Sequence, residues 1–208
     1  RLDYILNTHH HADHINGNIE LKKKYKAKII AFYGDKNRIP EIDILLKDNQ
    51  IQKIGKLIFK TIFVPGHTKG HIAFYFEDEK IIFTGDTLFS LGCGRVFEGT
   101  HTDMFNSLNK LKILPSETKV YCGHEYTKSN LSFCLKYDPN NPELKEKSIE
   151  INSKIKSGLP TIPTTIGKEL KTNIFLRCDN YDIKKALKLK DSSDQEIFSK
   201  LRDLKDAF

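Results

Sequence analysis

Residues 8–14 read Thr-His-His-His-Ala-Asp-His, directly after an apolar run. Four candidate metal donors, His9, His11, Asp13 and His14, fall within six residues. In an extended chain successive side chains alternate, so His9 and His11 share one side and His10 points to the other. Asp13 and His14 follow where the chain turns into a helix and can aim at a neighbouring point. Imidazoles with a carboxylate suit zinc, iron or manganese. A lone histidine is more often a packed or solvated residue; this density after a strand is a metal site. Three later positions extend it: His67 in Pro65-Gly66-His67-Thr68, Asp86 in Thr84-Gly85-Asp86-Thr87, and His124 in Cys122-Gly123-His124-Glu125. Each follows a predicted strand and a glycine, which permits close backbone approach.

These donors need a sheet behind them. Leu2–Asn7 reads as a buried strand, Ile15–Lys26 as a helix, and Lys28–Tyr33 as a strand. Asp35–Asp48 reads as irregular because Pro40 breaks any helix. Leu57–Val64 is a strand stopped by Pro65-Gly66. Ile72–Phe76 and Lys80–Thr84 form a hairpin around Glu77-Asp78-Glu79. Asp103–Leu114 is helical, Pro115 stops it, and Lys119–Cys122 is another strand. From Thr127 the pattern turns helical: Thr127–Tyr137, Pro142–Ser157, Asp182–Lys188 and Ser193–Asp206, the last capped by Ser193 or Asp194. Leu159–Thr172 reads as a loop. A boundary falls near residues 125–128, giving a mixed strand-and-helix part over 1–126 and a helical part over 127–208.

The chain has 208 residues and a net charge of +7, from 34 Lys plus Arg against 27 Asp plus Glu. The lysines are scattered apart from Lys22, Lys23 and Lys24, which suits a solvated surface and a small anionic substrate better than nucleic acid. No apolar run has the length of a membrane span, and no signal peptide is visible. Cys93, Cys122, Cys134 and Cys178 form no Cys-x-x-Cys pair, so thiolate zinc and a disulfide framework are not expected. Reduced, buried thiols and a cytoplasmic setting are.

The order His-x-His-x-Asp-His, Gly-His-Thr, Gly-Asp, Gly-His resembles the metallo-β-lactamase superfamily. Finer details resemble its hydroxyacylglutathione hydrolase (glyoxalase II) branch: Gly85-Asp86-Thr87-Leu88-Phe89, Gly92-Cys93-Gly94-Arg95-Val96-Phe97-Glu98-Gly99-Thr100, Gly123-His124-Glu125-Tyr126, Phe175-Leu176-Arg177 and Arg202-Asp203-Leu204-Lys205-Asp206. The resemblance covers essentially the whole chain. It implies an α/β fold, the αββα sandwich of two mixed sheets, with a C-terminal α-helical domain. In that family about a quarter of the catalytic domain precedes the histidine cluster, so the expectation is a chain lacking N-terminal strands, with an exposed sheet edge and apolar surface.

The resemblance also implies roles. His9, His11 and His67 would hold one metal, Asp13, His14 and His124 a second, and Asp86 would bridge them together with a water or hydroxide. The implied cofactors are two divalent ions, zinc first, with iron or manganese accepted by the same donors. Asp13 and Asp86 are the candidate catalytic residues, Asp13 by orienting the hydroxide. Arg95, Phe97, Tyr126, Arg202 and Lys205 match the glutathione-binding positions. Phe97 stands where some members have tyrosine, so a contact through that hydroxyl would be missing. Arg202 and Lys205, three apart, share a helix face. His71 could orient a ligand or simply pack, and His101 is a surface residue.

The implied reaction is hydrolysis of S-(2-hydroxyacyl)glutathione, S-D-lactoylglutathione above all, to glutathione and a 2-hydroxy acid, as in methylglyoxal detoxification. The partner is a small-molecule glutathione thioester; no nucleic acid or membrane is expected, and the state is a monomer. Other readings stay open: a hydrolase of the same fold acting on a lactam, lactone or phosphodiester, a one-iron persulfide dioxygenase-like enzyme, or a metal-binding fragment without turnover.

Overall fold

In the computed structural model, which describes residues 1–208, the chain builds β1 (Tyr4–Leu6), α1 (Ala12–Ile15), α2 (Asn18–Tyr25), β2 (Lys28–Phe32), β3 (Ile44–Leu46), β4 (Ile51–Ile54), β5 (Leu57–Phe63), β6 (Ile72–Phe76) and β7 (Ile81–Gly85). A short ribbon follows, β8 (Leu88–Phe89) with β9 (Gly92–Cys93), then α3 (His101–Lys112) and β10 (Lys119–Cys122). The remainder is α4 (Thr127–Tyr137), α5 (Pro142–Lys156), β11 (Thr164–Thr165), α6 (Ile166–Thr172), α7 (Tyr181–Ala186) and α8 (Asp194–Asp206). No helix is long and apolar enough to cross a membrane.

Two sheets form. One is parallel, in the order β1-β2-β3; the other is mixed, in the order β11-β10-β7-β6-β5-β4. Strand alternation explains how they stack. Ile30 of β2 and Leu46 of β3 join Phe59, Ile72, Phe74 and Phe76 in one apolar cluster between the sheets. The other face of β2, Ile29 and Ala31, packs with Ile39 and is joined by Ile15. β2 is therefore buried on both faces, as a parallel strand covered by a helical layer must be. The larger core runs from the mixed sheet (Ile62, Ala73, Ile82, Val120) through α3 (Met104, Leu108, Leu111) into α8 (Ile197, Phe198, Leu201). Expulsion of this apolar surface from water joins the helical tail to the sheet.

Between the sheets an apolar cleft of ≈ 530 Å³ stays open, lined by Leu6, Ile54, Phe74, Ile81, Phe83 and Tyr121 among others. Leu57 and Phe83, which line it, are correspondingly exposed.

Several elements depart from the expectation. The helix read over Ile15–Lys26 is two helices, broken at Asn16-Gly17. The break lets Asn18 turn inward, where its amide pairs with Asn7 at 2.8 Å and the Asn7 amide donates to the His14 carbonyl at 3.1 Å. The segment read as irregular contains β3, and β4 was not anticipated. Leu159–Thr172 is not a loop throughout: β11 pairs antiparallel with β10, and α6 follows, capped by the Thr165 hydroxyl, which accepts from the Lys168 N–H. α3 and α8 each open on a capping box, Thr100 with Asp103 and Ser193 with Glu196.

Candidate metal centre

Every donor named from the sequence stands at one end of the two sheets. His9 and His11 follow β1; Asp13 and His14 lie in α1. His67 follows β5, Asp86 follows β7, and His124 follows β10. Three groups of donor atoms converge: His9, His11 and His67; His9, His14 and Asp86; Asp13, His14 and His124.

Asp86 is central. Its carboxylate stands 3.4 Å from His14 Nε2, 3.5 Å from His67 Nε2 and 3.3 Å from His124 Nε2. Asp13 Oδ2 stands 3.5 Å from His14 Nε2 and 3.3 Å from His124 Nε2. Two ligands at roughly 2.0–2.2 Å from one ion, at a tetrahedral angle, lie about 3.4 Å apart. The spacings therefore match donors that share ions. His9 Nε2, His14 Nε2 and Asp86 Oδ1 are buried and have no hydrogen-bond partner. Buried polar atoms without partners are costly, and a coordinated cation would satisfy all three. The residues fit a divalent metal centre.

The electrostatics agree. Burial lowers the His9, His11 and His67 pKa values, favouring the neutral imidazoles that bind metal. The Asp86 carboxylate holds His14 above its ordinary value. Burial works against ionised Asp86, but His14, His67 and His124 keep its carboxyl below the usual range.

Backbone and second-layer contacts fix these donors. His67 Nδ1 donates to the Arg95 carbonyl at 2.8 Å, leaving Nε2 for an ion. His71 is fully buried, pushed down to about 3 by burial, and stacks on His9 with centroids 4.7 Å apart. Its Nε2 accepts from the Asp86 N–H at 3.0 Å and its Nδ1 meets the Thr87 hydroxyl at 3.2 Å. His71 thus orients the backbone of Asp86, settling the open reading of that residue. At Gly94 a Cβ would lie 1.9 Å from the Asp86 carbonyl oxygen, so only glycine lets the two loops meet.

The five positions matched to glutathione binding fall into different settings. Phe97 is exposed, with its ring 5.8 Å from His11 and 5.2 Å from His67. Tyr126 is exposed and stacks on His124 at 4.9 Å. Arg95 projects beside Phe97 and pairs with Asp206 at 3.1 Å. Lys205 donates to the Ser129 hydroxyl at 2.9 Å. Arg202 is buried: its guanidinium donates to the Cys93 carbonyl at 2.9 Å and to Asp206 at 2.9 Å, and lies over Phe175. The shared helix face holds for Arg202 and Lys205, but Arg202 turns into the protein. Phe97 and Tyr126 flank the donors, whereas Arg202 and Lys205 lie behind the Cys93–Arg95 turn and on α4. His101 lies at the surface, 3.7 Å from Asp203. All four cysteines are free and buried.

Two polar clusters escaped the reading of the sequence. One joins Asp35, Arg38 and Glu98 beside His10. The other is Glu169, buried with Lys147 and Asn173, holding the turn between β8 and β9. Glu98 lay inside the quoted Gly92–Thr100 segment; the others carried no local signal.

Comparison with known proteins places this geometry. The model of the metallo-beta-lactamase superfamily matches residues 1–124. Solved structures agree on the fold: ETHE1 from Myxococcus xanthus has a TM-score of 0.66 at 23% identity, covering 97% of this chain and 68% of that one. TTHA1623, crystallised in a di-iron-bound form, has a TM-score of 0.57 at 25% identity, covering 82% of this chain and 76% of that one. Fold and donors together define a metallo-β-lactamase-fold protein with a divalent metal site.

The model of the hydroxyacylglutathione hydrolase C-terminus matches residues 125–208. A hydroxyacylglutathione hydrolase of Pelagibacter ubique is 56% identical over 207 residues, 100% of this chain and 81% of that protein. One of Methylococcus capsulatus is 44% identical over 208 residues, again 100% of this chain and 81% of that protein. This chain belongs to the hydroxyacylglutathione hydrolase family.

Proposed function

We propose that this chain hydrolyses S-(2-hydroxyacyl)glutathione, with S-D-lactoylglutathione as the principal substrate, releasing glutathione and D-lactate in methylglyoxal detoxification. One observation carries the reading. The donors converge at one edge of the fold, in a chain 56% identical to a relative named hydroxyacylglutathione hydrolase. Two ions are proposed per chain, zinc before iron or manganese: His9, His11 and His67 for one, Asp13, His14 and His124 for the other, and Asp86 between them.

Ions held by these residues would supply Lewis acidity and lower the pKa of a water for attack on the thioester carbonyl. Asp86, whose carboxyl is held below the usual range by the bond to His14 against burial, would present a negative charge to those ions. Asp13, more exposed, can accept a hydrogen bond from the attacking water and fix its direction. Water adds to the carbonyl carbon, the C–S bond breaks, and the proton released balances the thiolate. A thiolate of pKa roughly 8–9 leaves without a strong general acid, so the absence of a Ser-His-Asp arrangement is no obstacle.

Substrate binding is assigned to Arg95, Phe97, Tyr126, Arg202 and Lys205, across the catalytic part, residues 1–126, and the helical part, residues 127–208. Arg95 offers a guanidinium to a glutathione carboxylate once Asp206 yields it. Phe97 and Tyr126 wall the donors with aromatic surface. Arg202 contributes by holding the Cys93–Gly94 turn on which Arg95 stands. A reducing cytoplasm fits the four free thiols, and the proposed state is a monomer.

The test is hydrolysis of S-D-lactoylglutathione by metal-loaded protein, with metal content measured on the same sample. Turnover with about two ions per chain, as expected of a two-metal site, is the expected result. Turnover of a β-lactam with none of the thioester would overturn the reading.

A further inference from the structure

Asp35, in the turn after β2, is completely buried. Arg38 covers it: Nε donates to Asp35 Oδ1 at 3.1 Å, and Nη2 donates to the same oxygen. The other arm of the guanidinium, Nη1, reaches both oxygens of Glu98 at 2.7 and 2.8 Å. Glu98 Oε2 also accepts the Lys69 N–H at 2.7 Å. His10 fits between the carboxylates, 3.5 Å from Asp35 and 3.4 Å from Glu98. The cluster is packed against backbone: a Cβ on Gly70 would lie 1.8 Å from Asp35 Oδ1, so that glycine leaves room for the acid.

Four loops meet here: the histidine cluster at His10, the turn after β2, the His67 loop at Lys69-Gly70, and the loop after β9 at Glu98. The last two also run side by side through Phe97 N–H to the His67 carbonyl at 3.3 Å and Gly99 N–H to the Gly66 carbonyl at 3.1 Å. The same pair of loops carries the bond from His67 Nδ1 to the Arg95 carbonyl that aims the His67 Nε2. Burial works against ionised Glu98, yet Arg38 and the Lys69 N–H hold its carboxyl below the usual range, so it is charged at neutral pH.

We propose that Arg38, bridging Asp35 and Glu98, is a positioning residue that clamps the 95–99 loop to the His67 loop and thereby aims His67 and places Phe97 at the metal centre. Arg38 touches neither donor atoms nor substrate; it acts through Glu98. The choice of substrate below rests on the thioester reading, while the metal arm does not.

Three variants separate positioning from folding. Arg38→Ala leaves Asp35 buried without its partner and can lose the fold. Glu98→Gln keeps the Asp35–Arg38 pair and releases only the 95–99 loop. Arg38→Lys keeps a charge that can reach one carboxylate but not both. Zinc affinity is measured by chelator competition on folded protein, with KM and kcat for S-D-lactoylglutathione alongside. Loss of a bond behind a metal-binding histidine weakens metal affinity by about 10–100-fold. Glu98→Gln is therefore expected to weaken zinc binding at least tenfold and to raise KM more than it lowers kcat per bound metal. Arg38→Lys should fall between it and the wild type, and Arg38→Ala with Glu98→Gln should lose no more than the worse single variant. Zinc affinity within twofold of wild type in folded Glu98→Gln would overturn the clamp, whatever the substrate. A wild-type chain that binds zinc but hydrolyses no thioester would overturn the substrate reading instead, leaving the zinc measurement to decide the clamp.

Discussion

Replacing Glu169 by glutamine removes one charge from the most enclosed ion pair in the chain. Glu169 has no solvent exposure, and Lys147 is 8% exposed. Both carboxylate oxygens are filled. Oε1 accepts from Lys147 Nζ and from the Thr164 hydroxyl at 2.7 Å; Oε2 accepts from the Leu91 N–H at 2.7 Å and the Asn173 amide at 2.9 Å. A glutamine amide placed at Oε2 would face two donors. Placed at Oε1 it would face the ammonium. In either orientation the buried Lys147 loses its counter-ion. Breaking a buried pair this way costs about 3–5 kcal/mol. For a chain of this size each kcal/mol moves the midpoint by roughly 2–4 °C, so the melting temperature should fall by roughly 6–20 °C. The assay is thermal and urea unfolding of wild type, Glu169→Gln, Lys147→Met and the double variant at one fixed zinc concentration, since bound metal shifts apparent stability. The double variant should recover to within about 1.5 kcal/mol, because a buried pair replaced as a unit is often nearly neutral. There the glutamine oxygen can serve Leu91 and Asn173 while its amide donates to Thr164. A loss below about 1 kcal/mol in Glu169→Gln, the scale of an exposed pair, would refute the claim that this pair is dry.

Asp86→Ala should cut metal content and turnover together, because its carboxylate faces His14, His67 and His124; full metal occupancy in that variant would contradict the central placement. Dialysis against a chelator should abolish hydrolysis and added zinc should restore it, read by thioester absorbance. Gly94→Ala puts a methyl 1.9 Å from the Asp86 carbonyl; weakened metal binding in folded protein is expected, and unchanged affinity would show that the two loops can part. For acid stability the sign follows from the lowered carboxyls of Asp103, held by the Thr100 hydroxyl and N–H, and Glu196, held by the Ser193 N–H and hydroxyl. Their folded values lie below the unfolded ones, so their contribution is complete above roughly pH 4–4.5 and fades as pH falls through the folded values. Asp103→Asn should therefore lower the melting temperature at pH 7 more than at pH 3, and an equal loss at both would count against the capping box as its source.

What could be read from the chain, and what could not, divides by how far apart the interacting residues lie. The donors announced themselves because each is a histidine or aspartate just past an apolar strand, and strand alternation alone sends His10 away from His9 and His11. It does not say where His10 goes. That depends on Asp35 and Arg38, in a segment that local pattern marks only as irregular, and on Glu98, 60 positions beyond Arg38. α6 and β11 escaped for a related reason. Two residues of strand after Pro163 and a seven-residue helix containing Gly167 carry no usable periodicity, and they exist because β10 offers an edge to pair with; the Thr165 cap and the buried Glu169 supply the rest. Arg202 makes the same point on a helix. Spacing correctly put it on one face with Lys205, but only the packed structure shows Phe175 and the Cys93 carbonyl drawing the guanidinium inward. A residue that reads as a ligand contact also holds the turn carrying Arg95. The donor set was legible because coordination needs particular atoms; the loops that aim those donors were not, because many different polar networks could tie the same four loops together and the sequence does not say which one the fold closes.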